Sequence, residues 1–389
     1  YIMRINNIII IYVILWIFSI ILFFNKQNIL KKFLFLSAKQ IKKIPFKGKN
    51  ALAIPFLITV LHEMIFIITG INLFSEKEIS EIFYDLSMFV TGEGKAADEN
   101  YSEGYFEGLS ETELNNITPR EAEHRKFDKI LELLGAKQGD KILDLGCGTG
   151  TFGEYCKTKG ITVVGVTLSS EQVKHSQSKN LEAYRKDFSI YIPEFDNKFN
   201  HIVIIGSSEH IPTGSPLYLS SYKKKQEKMT EVLNYCHGYL KEGGQIFYSG
   251  IHINPKFYQT SSNLILARAY GSLVQMDDPN YDIVKSFTDS KFKDNRLFSR
   301  DSTRDYYLAT VLDENHFGNA ADFFSKGMLM LLGLSLIYPL CFYQYIYYTF
   351  GKWMWMWDGK NHFGSNKNYT LQEDKDKRPC TLYWHVYKK

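Results

Sequence analysis

The sequence lacks the cysteine arrangements that indicate a disulfide framework or a zinc site. Its five cysteines are odd in number, scattered, and never spaced as a CxxC pair. We therefore predict no metal site and expect a reducing compartment. A formal net charge of +4 over 389 residues is too small to predict a nucleic-acid partner. Ten prolines and 27 glycines are too few for a low-complexity chain, and 45% hydrophobic residues can fill one large or two small cores.

Although the composition of the whole chain is ordinary, residues 8–24 form an apolar run without a single charge. As a helix this run is about as long as a bilayer is thick. No small-residue cleavage site follows, which favours a membrane anchor over a signal peptide. Residues 25–50 then hold eight lysines and no acid. By the positive-inside rule, we expect a membrane-anchored protein whose remaining domain faces the cytosol, on the endoplasmic reticulum or another intracellular membrane if the source is eukaryotic.

Two further apolar runs are less regular. Residues 51–74 contain His62 and Glu63 near their middle, where an acid is costly in a bilayer, so we interpret this run as an in-plane or re-entrant helix or an arm packed on the domain. Residues 327–350 carry no charge but contain Pro339. This proline predicts a bent interfacial hairpin, and a helix buried in the core is the alternative.

A glycine-rich loop follows the first clear strand of the domain. Residues 141–152 read KILDLGCGTGTF, in which an apolar strand, Lys141–Leu145, leads into glycines and then into a helical stretch. Strand, glycine turn and helix form the geometry of a nucleotide-type cofactor loop, because glycine lets the backbone approach a ligand closely. The spacing is not GxGxxG, and no GK[ST] follows, so neither a dinucleotide nor a nucleoside triphosphate is predicted. A purely structural turn is the alternative.

Strands and helical stretches alternate after this loop. We predict further strands at residues 161–166, 199–205 and 245–248, and a helix at 221–240. This alternation predicts an α/β fold with a parallel sheet and a site at the carboxyl ends of its strands.

Several motifs now occur in an order typical of one family. They are Tyr101-Ser102-x-x-Tyr105-Phe106, LDLGCGTG, GVTLSSEQ at 165–172, Glu209-His210, LKEGG before the fifth strand, and a closing strand at 381–387, TLYWHVY. Together they resemble the class I S-adenosylmethionine-dependent methyltransferases, within them the cyclopropane-fatty-acyl-phospholipid synthase group with its mycolic acid and sphingolipid C9-methyltransferases. The resemblance covers roughly residues 100–389 and implies a Rossmann-like, mostly parallel seven-stranded sheet. Its most specific part is Thr-Leu-Ser with a following Gln, where most class I methyltransferases carry an acid.

This resemblance divides the chain into three parts. Residues 1–75 are expected to be a membrane anchor and basic linker, and residues 76–135 a helical cap that closes over the cofactor. Residues 136–389 are the expected methyltransferase domain, with a hydrophobic insertion at about 325–360 that lines an acyl entrance.

The resemblance implies S-adenosylmethionine as the cofactor. The ten residues assigned to it are Tyr101, Ser102, Asp144, Gly146, Gly148, Gly150, Thr167, Leu168, Gln172 and Asp187. The first two close over the sulfonium, and the glycines hold the methionine and ribose portions. Thr167, Leu168 and Gln172 contact ribose and adenine, while Asp144 orients the glycine turn. Asp187 is assigned to the adenine amino group, with Glu182 as the alternative.

The reaction implied is attack of a lipid alkene on the sulfonium methyl, followed by loss of a proton to a base. In this group a bicarbonate held by a Cys, a Glu, a His and a Tyr serves as the base. Here Glu209 matches the glutamate, Glu103 stands in the cysteine position, Glu314 stands in the tyrosine position, and His252 is the nearest histidine. These departures disfavour bicarbonate and favour direct action by a carboxylate. The candidate catalytic residues are therefore Glu209, His210, Glu103, His252 and Glu314.

The expected partners are a membrane lipid substrate and a phospholipid bilayer. Two other functions stay open: a small-molecule amine N-methyltransferase, in which the Glu-His pair deprotonates a substrate nitrogen, and a membrane-tethered protein that binds the cofactor without turnover. The lipid class and the choice between a methyl branch and a cyclopropane ring are also open. The N-terminal apolar runs favour the sphingolipid C9-methyltransferases.

Overall fold

The computed structural model describes residues 59–61, 75–90, 103–211, 222–253, 275–276, 283–312, 331–335, 339–346 and 380–389. The main helices in these ranges are α1 (Glu76–Val90), α2 (Glu111–Asn116), α3 (Pro119–Leu134), α4 (Thr151–Thr158), α5 (Ser170–Ser178), α6 (Tyr222–Tyr239), α7 (Ile283–Asp289) and α8 (Thr303–Leu312). The strands are β1 (Lys141–Leu145), β2 (Thr162–Thr167), β3 (Glu182–Arg185), β4 (Phe199–Ile205), β5 (Leu240–Ile253), β6 (Gln275–Met276), β7 (Arg296–Asp301) and β8 (Cys380–Lys388).

The strands form one mixed sheet in the order β3-β2-β1-β4-β5-β8-β7, and β6 adds to β5. Strands β1 to β5 pair in parallel, whereas β8 runs antiparallel between β5 and β7. The predicted α/β class and the mostly parallel seven-stranded arrangement are therefore confirmed. Because β1, β2 and β4 are adjacent, the loops at their carboxyl ends meet at one edge of the sheet.

Short local signals fix the helices that precede the sheet. The side chain of Thr118 accepts the backbone N–H of Glu121, whose carboxylate accepts the N–H of Thr118 in return, and Pro119 occupies the first turn of α3. Gly135 ends the helix in the left-handed conformation. This capping sets where α3 begins and ends, and so where its buried face meets the sheet.

The observed strand bounds agree with the predicted ones at β1 and β4, but β5 is longer. The predicted strand began at residue 245, after LKEGG, whereas the structure starts β5 at Leu240, which pairs with Phe199. The register shifts between Phe199 and His201, and Gly243 has a positive φ of 73°. The irregular start of β5 consists of residues that are typical of turns. This composition explains why the predicted strand began too late.

The apolar core has two large clusters, one on each face of the sheet, and a small third cluster of Phe106, Ala122 and Leu308. Phe247 belongs to one cluster and its neighbour Tyr248 to the other, as alternation along β5 requires. The first cluster also contains the side chains of α1 and the described part of the 327–350 run, with Leu331 and Leu340 fully buried. The described residues of this run are therefore not an interfacial hairpin. They are buried in the core, which was the alternative prediction.

The second apolar run meets the third at one described point. Thr59 Oγ1 donates to the carbonyl of Pro339 at 3.2 Å, and Thr59 is buried. At this residue the 51–74 run packs on the domain, which was one of the predicted alternatives. Across the described ranges, none of the helices combines the length and the apolar character that crossing a bilayer needs. Residues 8–24 and most of the other two runs lie outside the described residues.

Candidate active site

A cavity of about 870 Å³, including its open mouth, lies at the carboxyl ends of β1, β2 and β4. Six of the ten residues predicted to bind the cofactor line it, namely Asp144, Gly146, Gly148, Thr167, Leu168 and Gln172. Tyr101 and Ser102 lie outside the described residues. The structure therefore brings the motif after β1 and the motif after β2 to one wall, as their places in the sequence predicted.

The glycine loop is shaped by close approach at one glycine and by open space at another. A Cβ on Gly146 would lie 2.2 Å from the Cβ of Ser207, whose hydroxyl donates to the carbonyl of Leu145 at 2.5 Å. Gly148 has a φ of 53° and no atom within 4 Å of its would-be Cβ. A side chain at 148 would thus be strained and would occupy free space at the cavity wall.

Gly150 has a different role from the other two glycines. Its φ is 81°, and a Cβ there would lie 2.7 Å from Leu181 Cδ1 and 2.9 Å from Ser176 Oγ. It is absent from the cavity wall, whereas its neighbours Thr149 and Thr151 line it. Gly150 therefore permits close packing of α4 on the chain around α5, and its direct contact with the cofactor stays a prediction.

Local hydrogen bonds hold the loop after β2. Thr167 Oγ1 donates to Gln172 Oε1 at 2.7 Å, and the backbone N–H of Gln172 donates to Ser169 Oγ at 3.1 Å. All three side chains are buried. This pairing orients the Gln172 amide, and Leu168 supplies apolar surface to the same cavity wall.

The acid before the glycine loop lies on the cavity wall and is almost fully buried. Burial raises the pKa of Asp144 to about 7, although the charge of Lys126 opposes this shift. Lys126 is itself 0% exposed, and burial lowers its pKa. Asp144 thus shares a buried environment with a lysine of α3, and its role in orienting the turn stays a prediction.

Helix α1 supplies a part of the cavity wall that the sequence reasoning missed. Ser80 and Tyr84 line the cavity, and Tyr84 Oη lies 2.6 Å from His210 Nε2. His210 also lines the cavity, which places this predicted catalytic residue beside the cofactor loops. The sequence signal for this wall was a stripe of polar residues along α1. Such a stripe is typical of a solvent-exposed helix face, so it did not indicate a cavity.

Further polar residues of α1 bind the loops around the cavity. Asp85 Oδ1 accepts from Ser169 Oγ at 2.6 Å and from the backbone N–H of Glu171 at 3.2 Å, so it caps α5. Glu81 forms an ion pair with Arg185 at the end of β3. The helix is therefore fastened to the loops after β2 and β3.

Asp187 lies at the edge of the site rather than on the cavity wall. Its Oδ2 is 2.8 Å from Lys77 Nζ of α1, and its Oδ1 accepts from Ser189 Oγ at 2.6 Å. Burial raises the pKa of Asp187, but these bonds outweigh it and hold the pKa below its usual value. Phe188 lines the cavity instead. The assignment of Asp187, or of the exposed Glu182, to the adenine amino group stays a prediction.

Two buried carboxylates meet beside the carboxyl end of β5. Glu209 Oε1 accepts from the backbone N–H of Ile251 at 2.6 Å, and Glu103 Oε1 accepts from Ser249 Oγ at 2.7 Å and Trp384 Nε1 at 2.6 Å. Burial is the main reason that the pKa of Glu209 rises to about 7, and the charge of Glu103 adds to the rise. The structure thus brings two of the five predicted catalytic residues within range of each other's charge.

A buried lysine holds the backbone at Glu209. Lys225 Nζ of α6 donates to the Glu209 carbonyl oxygen at 2.7 Å. Burial lowers the pKa of this lysine to about 8, and the charges of Glu76 and Glu209 oppose the shift. Lys225 therefore helps to hold the segment that carries the carboxylate in place.

The remaining catalytic candidates are less close to this pair. His252 is buried in β5, its ring edge-to-face with Tyr383 at 5.3 Å. Because side chains alternate along a strand, His252 points to the face opposite Ser249, the residue that holds Glu103. Its catalytic role stays a prediction. Glu314 lies outside the described residues.

The segment around Glu103 is anchored by distant parts of the chain. Tyr105 stacks on Trp384 with ring centroids 5.7 Å apart, and the Arg300 guanidinium lies over the Tyr105 ring at 4.8 Å. The backbone N–H of Phe106 donates to Asp305 Oδ1 at 2.9 Å. The Tyr105-Phe106 part of the predicted motif therefore positions Glu103, and neither ring lines the cavity.

Comparison with known proteins agrees with this geometry. The sequence profile described as mycolic acid cyclopropane synthetase matches residues 75–266. The matched region is a class I S-adenosylmethionine-dependent methyltransferase of the cyclopropane synthase group. The family predicted from the sequence is thereby confirmed. The start of the match at residue 75 places α1 inside this methyltransferase region.

Two curated relatives each match less than a third of this chain. A probable fatty acid methyltransferase of Mycobacterium tuberculosis is 33% identical over 122 residues, which are 30% of this chain and 29% of the relative. A ubiquinone biosynthesis O-methyltransferase of Pseudomonas syringae is 31% identical over 129 residues, 31% of this chain and 48% of the relative. The chain thus spans less than half the length of these relatives.

Solved structures confirm the fold over a longer stretch. A mycolic acid cyclopropane synthase in complex with SAH and CTAB has a TM-score of 0.56 and 18% identity, with coverage of 80% of this chain and 98% of that one. A cyclopropane synthase from Mycobacterium tuberculosis has a TM-score of 0.54 and 16% identity at the same coverage. Their fold is that of the sheet described above.

Proposed function

We propose that this chain is a methyltransferase that uses S-adenosylmethionine to methylate an unsaturated lipid acyl or sphingoid chain, with a methyl branch or a cyclopropane ring as the product. The family of residues 75–266 and the fatty acid methyltransferase relative support a lipid acceptor. The observation that carries the proposal is the buried Glu209, which adjoins a cofactor-cavity residue, His210, and lies beside Glu103.

The cavity fits the proposed cofactor in shape and chemistry. Backbone without side chains at Gly146 and Gly148 gives a close wall, and Thr167 and Gln172 supply polar groups on the neighbouring loop. Leu168 and Phe188 add the apolar surface that a purine ring needs. When bound, S-adenosylmethionine supplies an electrophilic methyl group, and the protein's own task is to align the acceptor with it.

Handling the proton is the second task of the protein. Methyl transfer to an alkene leaves positive charge on the acceptor, which a nearby carboxylate stabilises before it takes a proton. Glu209 suits this role because burial brings its pKa to about 7, close to the working pH of a general base. Glu103 is fixed by Ser249 and Trp384, so we assign it a supporting role that keeps negative charge beside Glu209.

The residues do not fit a bicarbonate between these groups. An anion there would face two carboxylates, Glu103 and Glu209, and although the charge of Lys225 lowers the pKa of Glu209, the charge of Glu103 raises it. Like charges in a buried site raise the free energy of binding a third anion. We therefore derive no step through bicarbonate and assign the proton to a carboxylate of this chain.

Lipid analysis of a host that expresses the chain tests the proposed function. We expect mass spectrometry to find lipids that are heavier by one methylene unit in cells with the wild-type chain and not in cells with Glu209→Gln. Unchanged lipids would refute the lipid acceptor. Turnover of S-adenosylmethionine with small amines in the same extracts would then favour the amine N-methyltransferase, and absence of all turnover the non-catalytic function.

We further propose that the protein is held at a membrane with its methyltransferase domain in the cytosol. The uncharged run at 8–24 and the lysines at 25–50 support this. Removing residues 1–50 should move much of the protein from the membrane pellet to the supernatant. Because the described residues of the 327–350 run are buried in the core, any residual binding that resists salt should depend on residues 51–74. An unchanged pellet fraction would contradict the anchor.

A further inference from the structure

A hydrogen bond between Tyr84 and His210 joins two walls of the cavity. Tyr84 belongs to α1, and His210 follows β4. Tyr84 Oη lies 2.6 Å from His210 Nε2, the two rings meet edge to face at 5.1 Å, and both side chains line the cavity. A ligand in the cavity therefore lies beside a bond that links the helix to the sheet.

The spacing of polar residues along α1 fixes the position of Tyr84. Lys77, Glu81 and Asp85 recur every four residues and so share one face of the helix. Each binds a different partner: Asp187 after β3, Arg185 at the end of β3, and the start of α5. Tyr84 lies beside this face, one residue before Asp85.

The other face of α1 is anchored in the core. Ile79, Ile82, Phe83 and Leu86 are each at most 7% exposed and belong to one apolar cluster. Contacts on two faces hold the helix backbone, so the Tyr84 hydroxyl meets His210 without a large loss of side-chain freedom. A preorganised contact of this kind favours binding because little order has to be gained when the ligand arrives.

We propose that Tyr84 is a positioning residue for the cofactor: it holds His210 at the cavity wall, so that docking of α1 and binding of S-adenosylmethionine strengthen each other. This inference rests on the proposed function, because it takes the cavity to be the cofactor site. Linkage requires the strengthening to be mutual, since a ligand that favours docked α1 must also be favoured by it.

A double-mutant cycle on the full chain tests the proposal, with S-adenosylhomocysteine as the probe. Tyr84→Phe and His210→Phe each remove one partner of the bond and keep a ring. We expect each to raise the Kd of the probe, measured by calorimetry, by about three- to tenfold, as for loss of one neutral hydrogen bond. The double variant should be no weaker than the weaker single variant, because the same bond is lost in all three.

Tyr184→Phe is the matched control. Tyr184 is exposed, its hydroxyl donates to Glu182, and it does not line the cavity. The same chemical change there should leave the Kd unchanged, and thermal unfolding should give similar midpoints for all variants. Additive losses in the double variant would overturn the proposal, because Tyr84 and His210 would then act independently.

Hydrogen exchange gives a second readout that needs no substitution. Saturating S-adenosylhomocysteine should slow amide exchange along α1 in the wild-type chain and should do so less in Tyr84→Phe. Equal exchange of α1 with and without bound probe would overturn the coupling even if a variant failed to fold. Failure of the wild-type chain to bind the probe at all would instead refute the proposed cofactor, so the two failures are distinguishable.

Discussion

The cofactor side and the acceptor side of this domain are built in different ways. At the cofactor loops, Thr167 bonds a residue five positions away in the chain, and the glycine turn lies in one continuous segment. At the acceptor side, Glu103 bonds Ser249 across 146 positions and Trp384 across 281. The first side is a local motif that a sequence displays directly. The second exists only after the whole sheet has formed, so its chemistry can diverge while the cofactor motif stays recognisable.

The largest effect is expected for a substitution that lowers kcat on the acceptor side and leaves cofactor binding unchanged. Glu209→Gln keeps the shape of the side chain and its acceptor for the N–H of Ile251 while removing the charge. We expect kcat to fall by roughly 10²–10⁴, the range of a positioned base, with the affinity for S-adenosylmethionine within about twofold. Glu242→Gln, an exposed change at the start of β5, is the control. Near-normal turnover in Glu209→Gln would move the search for the base to Glu314 or His252.

The second prediction concerns a substitution that should disrupt only the cofactor side. Gly148→Val places a branched side chain at a positive φ and in open space at the cavity wall. We expect calorimetry to show at least about a hundredfold loss of S-adenosylmethionine affinity, since a strained and filled loop cannot lie against the ligand. Gly108→Val is the matched control, because Gly108 has a φ of 78°, equally open surroundings and no place on the cavity wall. Equal binding by the two variants would refute the assignment of this loop.

A smaller effect should follow from Glu103→Gln. The amide oxygen of glutamine can still accept from Ser249 and Trp384, so mainly the charge is lost. We expect kcat to fall by about tenfold, less than for Glu209, because a supporting charge acts on the reaction through its neighbour. The pKa of Glu209 should fall as well, which would move the rise of activity with pH to lower values. An unmoved pH profile would show that the two carboxylates are not coupled, and Glu111→Gln on exposed α2 serves as control.

The smallest effect concerns stability. Burial raises the pKa of Glu209 from its ordinary value of 4.5 to about 7, so between these values the folded state binds more protons than the unfolded state. The free energy of unfolding should therefore decrease as the pH rises from about 4.5 to 7, with Glu209 contributing on the order of 1–3 kcal/mol. Urea unfolding of the wild-type chain and Glu209→Gln at pH 5 and pH 8 measures this. A wild-type decrease no larger than that of the variant would contradict it.

Sequence patterns predicted the fold well where the signal was local. The bounds of β1 and β4 agree because each is a short apolar run next to a glycine turn, and the closing strand was expected from the family resemblance. The start of β5 was wrong because its irregular pairing uses residues typical of turns. The described part of the 327–350 run was read as interfacial because hydropathy does not reveal which surface covers an apolar segment.

The candidate site divides in the same way. Thr167, Leu168 and Gln172 could be found because they are neighbours in the sequence. Ser80 and Tyr84 could not be found in this way. They belong to α1, whose polar stripe faces the cofactor loops but looks in the sequence like a solvent-exposed face. Asp85 meets its partner Ser169 across 84 positions, and no periodicity encodes such a contact. Long-range polar contacts need the coordinates of both partners.

The burial of the third apolar run has a practical consequence for protein production. A hydropathy plot invites deletion of residues 327–350 to make the protein easier to handle. Leu331, Leu332, Leu334 and Leu340 are at most 1% exposed and share a cluster with Ile79 and Phe83 of α1. Cutting this run out would remove part of the cluster in which α1 is buried, and loss of several buried leucines costs more than the usual margin of stability. Shortened versions of this protein for crystallisation should therefore keep that segment.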